Sequence, residues 1–238
     1  KEQFDDVCIE LVRSDKEDPQ RNEEAFARLR VVVKSRNKDL VGRLFNAKMI
    51  EIALANIPGF GPSNPIGDGA SFLAYWPALI DSSHITEYVH VDEEIIEVSP
   101  TSQQDLPAVV ADFEPARISA APTGDMVSIP FGRLFGTRSG DKGGCANLGV
   151  WAKNDEAYGF LHTFLTIERL KALLPDTAEF EIDRYELANV RSLNFFIKGI
   201  LGEGVASSVR IDPQAKTLGE YLRAKTIDVP AIIVAQVK

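Results

Sequence analysis

Between residues 99 and 124 the chain carries Pro100, Pro107, Pro115 and Pro122 in a background rich in Ser, Thr, Gln and Ala. Proline fixes φ and has no amide hydrogen to donate, so no long helix or central strand can cross this stretch. The chain is therefore expected to fold as two units, 1–98 and 125–238, with 99–124 as a linker. Its 238 residues allow one large domain or two small ones, at roughly 100–200 residues per domain. Apolar residues make up 45% of the chain, enough to bury a core and to exclude disorder as its main state. No apolar run approaches the roughly 18 residues of a membrane span. Twenty-six basic against 35 acidic residues give a net charge of −9, which disfavours nucleic acid as a partner but leaves room for a local basic patch that holds a small anion.

The two cysteines, Cys8 and Cys145, exclude a disulfide scaffold and any zinc site built on four thiolates. They read as reduced thiols of a cytoplasmic chain. The first residue is Lys1 and no charged-then-apolar leader follows, so a piece of a longer protein or a processed product is expected.

In the first half, Val7, Ile9 and Leu11 alternate as a strand, and the polar stretch 13–24 is a loop. Val31 to Val33 mark a second strand, buried at its centre. Asn37 caps a helix over 38–56 that stops at Pro58. Ile85 to Val91 and Ile95 to Val98 form a hairpin that turns at Asp92, Glu93 and Glu94. In the second half, strands are expected at 126–137, 146–152, 180–187 and 205–211. Helices are expected at 155–174, from Asn189 to Gly202, and after a T-x-x-E capping box at Thr217 and Glu220. That order predicts an α+β fold, a two-layer sandwich with helices on one face of a mixed sheet.

The sharpest local signal is the run from Arg138 to Asn147, with Gly140, Gly143 and Gly144 inside it. Glycine permits positive φ and close backbone approach, and successive N–H groups in such a turn can cup an anion. Arg138 and Lys142 add positive charge, and Ser139 and Asn147 add directional hydrogen bonds. Asp141 and Lys142 are the acid–base candidates. The competing reading is a hairpin whose glycines only satisfy turn geometry. Arg191 and Asn194, three residues apart, would share a helix face, where the arginine could clamp a carboxylate or pair with a nearby acid. His84 and His90 are expected on one strand face, but the spacing of the three histidines matches no metal motif, so no metal and no cofactor are expected. Cys145 sits beside Lys142, as an activated thiolate would, or fills a small buried space.

The segment RSGDKGGCANLGVWAK resembles the signature RSGDKGGDANVGVWA at the start of the C-terminal domain of the acyclic terpene utilisation AtuA family. The resemblance continues through FLTIERLKALLP, RYELANVRSLNFFIKGILGEGVASSVRID and LGEYLRAKTIDVP, and in the first half through ALANIPGFGPSNP and YWPALIDSSHITEYVHVD. It implies a ferredoxin-like fold after about residue 124. It also implies a part in the catabolism of acyclic terpenoids or related branched acyl-CoA compounds, with a longer N-terminal domain in the family. It supplies no catalytic residues, and the family's usual Asp is Cys145 here.

Two functions follow as expectations. In the first, the chain is part of an enzyme whose 138–147 turn binds a small anionic metabolite, such as a CoA ester, with no nucleic acid and no membrane span. In the second, it is a non-catalytic assembly module that forms a homo-oligomer or associates with an N-terminal fragment, with Phe195 and Phe196 as surplus apolar surface.

Overall fold

A computed structural model describes residues 3–53, 58–63, 67–98 and 118–236. Most of the expected linker, 99–117, and the end of the expected first helix, 54–56, lie outside the described residues. The chain divides into one compact unit, Lys1–Tyr75 with Ser119–Lys238, and a second, Trp76–Ile118.

The first unit opens with an antiparallel hairpin of β1 (Asp6–Arg13) and β2 (Ala27–Lys34). Val31 to Val33 are half-buried rather than buried, because two strands cannot enclose both of their own faces. Asn37 accepts a hydrogen bond from the Asp39 amide and starts a helix that Gly42 breaks into α1 (Lys38–Val41) and α2 (Arg43–Ala53). The second unit contains the hairpin of β3 (Glu87–Val91) and β4 (Glu94–Val98), with Asp92 in the left-handed region at its turn. His84 ends a short 3-10 turn ahead of β3, which carries His90, so the expected shared strand face does not form.

The remaining elements of the first unit are β5 (Met126–Pro130), β6 (Phe135–Lys142), β7 (Cys145–Ala152), α3 (Asp155–Phe164), α4 (Ile167–Leu173), β8 (Ile182–Leu187), β9 (Ser192–Ile197), α5 (Leu218–Arg223), β10 (Thr226–Pro230) and α6 (Ala231–Gln236). Strands β6, β7, β9 and β8 lie side by side in that order, and every pair is antiparallel, so the expected mixed sheet is corrected. β5 and β10 form a separate antiparallel pair. The fold is α+β.

The expected strand over 126–137 is split by a 3-10 turn at Phe131–Arg133, where Phe131 buries completely. The expected helix over 155–174 is two helices, each with its own cap: Asn154 for α3 and Thr166 for α4. The expected helix after Asn189 is strand β9. There Leu193, Phe195 and Ile197 are buried while Ser192, Asn194 and Phe196 are half-buried. A short apolar run satisfies either period, and cross-strand packing decides for the strand: Phe195 sits opposite Leu148 on β7 and Arg184 on β8. Phe195 and Phe196 thus face opposite sides of the sheet and are no surplus. The expected strand 205–211 is turn and irregular backbone instead.

One sheet face, with Leu148, Val150, Leu193, Phe195 and Ile197, is buried together with Leu161 of α3, Leu170 of α4 and Leu222 of α5. The Tyr158 hydroxyl is buried in this core without a hydrogen-bond partner among the described residues, and burial pushes its phenol pKa up. Phe195→Ala should cost about 3–5 kcal/mol of unfolding free energy through transfer and cavity terms. Tyr158→Phe should leave stability unchanged or raise it, because no hydrogen bond is lost with the hydroxyl. Denaturant unfolding of the two variants checks both.

Candidate functional site

The signature run is a tight hairpin. Arg138 to Lys142 are ladder residues of β6, Cys145 to Asn147 open β7, and only Gly143 and Gly144 form the turn. Gly143 has φ of 63° at the first turn position, the place where a type II′ turn needs glycine. Because strand side chains alternate, the ten residues divide between two faces. On the helix side, Ser139 Oγ accepts a hydrogen bond of 2.9 Å from the Gly219 amide and serves the first turn of α5. Thr217, the expected cap of that helix, makes no cap bond, and its own amide and hydroxyl donate to Asp212. Asp141 Oδ1 lies 3.8 Å from Lys216 Nζ. The opposite face carries Arg138, Gly140, Lys142, Cys145 and Asn147.

Asp141 and Lys142 therefore project to opposite sides, and Lys142 Nζ donates to the Asp141 carbonyl. The expected pair Arg191 and Asn194 is separated. Arg191 stands in the left-handed region before β9 and pairs with Asp155 at 2.5 Å, at the start of α3. Asn194 is on β9, where its carbonyl oxygen accepts from the Asn147 amide at 3.3 Å.

The turn has a second role, in building a cavity. Its Gly144 carbonyl accepts a hydrogen bond of 2.9 Å from the Leu201 amide. A Cβ on Gly144 would stand 2.1 Å from the Gly202 carbonyl oxygen, so only glycine admits this approach. The contact anchors the 199–210 segment. That segment faces β2, and between them lies a cavity of about 610 Å³.

Lys34, the last residue of β2, is the central polar group of this cavity. Its ammonium lies 2.9 Å from Glu203 Oε2 and 2.5 Å from Ser207 Oγ, and 4.1 Å above the Phe72 ring. Its side chain is only 15% exposed, whereas that of Glu203 is 57% exposed. Ser207 donates in turn to Glu203 at 2.9 Å. Lys34 beside it, and then Ser207, hold the Glu203 carboxyl below the usual carboxylate range. Arg36 and Arg210 add two cations to the lining, Asp5 and Asp6 two acids, and Phe72, Ile200 and Val209 an apolar wall. Arg30 ties the hairpin to the same segment by donating to the Val209 carbonyl at 2.8 Å while pairing with Glu10 at 2.6 Å.

None of these cavity residues is visible as a motif. Lys34 and Glu203 are 169 positions apart. The one local signal is G-E-G at 202–204, where two glycines flag a tight turn around an acid. Among the described residues no group of three or more His, Cys, Asp or Glu is placed to hold a metal ion, and no helix is long and apolar enough to cross a membrane.

Two family models match the chain. The one described as acyclic terpene utilisation family protein AtuA matches residues 1–91, and the one described as AtuA ferredoxin-like domain matches residues 129–228. The cavity is lined from both matched regions. Comparison with curated proteins and with solved structures gives no match.

The contact between Lys34 and Glu203 sets a pH dependence. The Glu203 pKa is lower in the folded chain than in the unfolded one. Its contribution to stability is therefore complete above the unfolded value and is lost as pH falls through the folded one. The stability difference between the natural chain and Glu203→Gln, read by urea unfolding, should be constant above the ordinary glutamate range and should close as pH falls below that range. A difference independent of pH would show that the contact carries no charge interaction.

Proposed function

The chain belongs to the AtuA family, and from that premise we propose that it acts in acyclic terpene catabolism by binding a branched acyl monocarboxylate in the cavity between β2 and the 199–210 segment. The observation that carries this reading is the enclosed Lys34 ammonium beside an apolar wall. Pockets of this kind are mostly apolar, with a few placed polar groups that orient the ligand.

The lining also indicates the charge of the ligand. Lys34, Arg36 and Arg210 balance Asp5, Asp6 and Glu203, three against three. Glu203 is the more exposed partner of Lys34 and can swing into solvent. Its departure leaves the lining with one net positive charge, the complement of a monocarboxylate. A substrate carboxylate then takes its place on Lys34, with Ser207 donating to it, and the branched chain lies along Phe72, Ile200 and Val209. Arg36 and Arg210 at the rim attract the anion before it enters. The signature hairpin supplies the support that holds the 199–210 segment in position.

The assembly reading rests on a different surface from the paired phenylalanines. Ile9, Leu11 and Leu29 share one face of the β1–β2 hairpin and are 60%, 60% and 64% exposed. An apolar face of that size favours association with another protein surface.

Titration calorimetry with geranate, an acyclic isoprenoid acid, tests the cavity. Lys34→Met should weaken binding by about 1–3 kcal/mol, the scale of a hydrogen bond to a charged group. Glu203→Gln should tighten it, because the internal competitor is removed. Binding as tight in Lys34→Met as in the parent, or weaker in Glu203→Gln, would contradict the reading. Sedimentation tests assembly: the 238-residue chain should run heavier than 26.2 kDa, and Leu11→Lys should return it to that mass.

A further inference from the structure

The sheet has a second face, away from the helices. Register places Gly136, Arg138, Gly140 and Lys142 of β6 there, beside Trp151, Gly149, Asn147 and Cys145 of β7. Ser192, Asn194 and Phe196 of β9 and Asp183, Tyr185 and Leu187 of β8 complete it. Arg138, Lys142, Trp151 and Tyr185 are exposed.

Trp151 is unusual in how it lies. A Cβ on its cross-strand neighbour Gly136 would stand 2.2 Å from Trp151 Cε2 and 2.3 Å from Cζ2, so the indole is laid flat across the glycine. One ring face thus covers the edge strand, as aromatic residues do for glycines in strands. The residue remains 42% exposed, leaving a flat aromatic surface open to solvent.

The neighbouring rows carry positive charge. Arg138 is one row along from Trp151. One row further, Lys216 reaches in from the loop before α5, and its ammonium lies 3.2 Å from where a Gly140 Cβ would stand. Lys142 follows on the same strand. Gly149 beside Arg138 leaves a shallow trough, and across it the Asn147 and Asn194 amides are joined at 3.3 Å. Of the nearby acids, Asp141 lies 3.8 Å from Lys216 and Asp183 pairs with Lys198 at 3.1 Å. Arg138 has no ion-pair partner among the described residues, which leaves its guanidinium available to a bidentate anion.

A flat ring, a guanidinium beside it and two further ammonium groups complement a planar base joined to a short polyphosphate. We propose that the open face of the four-stranded sheet binds a nucleoside diphosphate, with the base stacked on Trp151 and the phosphates held by Arg138 and Lys216. Stacking on an exposed aromatic tolerates any base, because every base has a π-face, and the phosphates add charge-assisted hydrogen bonds. This site is independent of the cavity beside Lys34, and neither needs the other to be correct.

The chain has two tryptophans, so Trp76→Phe leaves Trp151 as the sole fluorescent reporter. Titration of that protein with ADP should quench its fluorescence to saturation. Arg138→Ala and Lys216→Met, each shown by circular dichroism to be folded, should each weaken the affinity by about tenfold or more. Raised salt should weaken it as well, and Lys34→Met should leave it unchanged. The proposal is overturned if ADP gives no saturable quenching, or if both charge variants bind ADP as the parent does. It is also overturned if inorganic phosphate binds as tightly as ADP, which would mean an anion site without a base platform. Tighter binding of single-stranded RNA than of ADP would overturn it in favour of a nucleic-acid surface.

Discussion

The closest backbone approach in the signature region, between the Gly144 turn and the Gly202 carbonyl, fixes where the rest of the cavity can be. With the Leu201 amide bonded to the Gly144 carbonyl, the 199–210 segment starts from a rigid hairpin end rather than from a free loop. Glu203 and Ser207 then stand where Lys34 can reach them, and Val209 where Arg30 can. Gly144 is needed for a backbone junction that holds the 199–210 segment on the four-stranded sheet, and Lys34 and Arg30 tie the β1–β2 hairpin to that segment. The adjacent Gly143 supplies the positive φ of the turn.

Alternation divides the signature into two sets of side chains with different tasks. Ser139 turns toward α5 and takes its Gly219 amide, while Gly219 itself admits Thr137, whose Oγ1 would lie 2.8 Å from an added Cβ. These residues hold the helix layer on the sheet. Arg138, Lys142 and Asn147 turn the other way, onto the opposite face, where Arg138 and Lys142 are exposed. Read as one continuous loop, the motif suggests a single polar site; folded as a hairpin, it contributes to the core, to the support of a cavity and to an open surface.

Features carried by local chemistry were legible in the sequence. The alternation of Val7, Ile9 and Leu11, the Asn37 cap and the turn at Asp92 all depend on neighbours within a few positions. The 189–202 segment was not, because Leu193, Phe195 and Ile197 acquire their strand period only when Leu148 and Val150 lie beside them. Thr217 carried the pattern of a capping box, but the helix terminus was taken by Ser139, 80 positions earlier in the chain. The cavity was the least legible part. Lys34 ends one strand, Phe72 lies in an irregular segment and Glu203 in a turn, and only the packing of three distant stretches gives them a common purpose.

The most direct measurement of this arrangement is amide hydrogen exchange in Gly144→Ala, compared with the natural chain. If the glycine junction holds the cavity together, the added methyl should expose the Leu201 amide and speed exchange through 199–210 and β2. The central strands β7 and β9 should keep their protection. Unchanged protection at Leu201, or a loss spread evenly over β7 and β9, would contradict the account, because the junction would then be either dispensable or inseparable from the core.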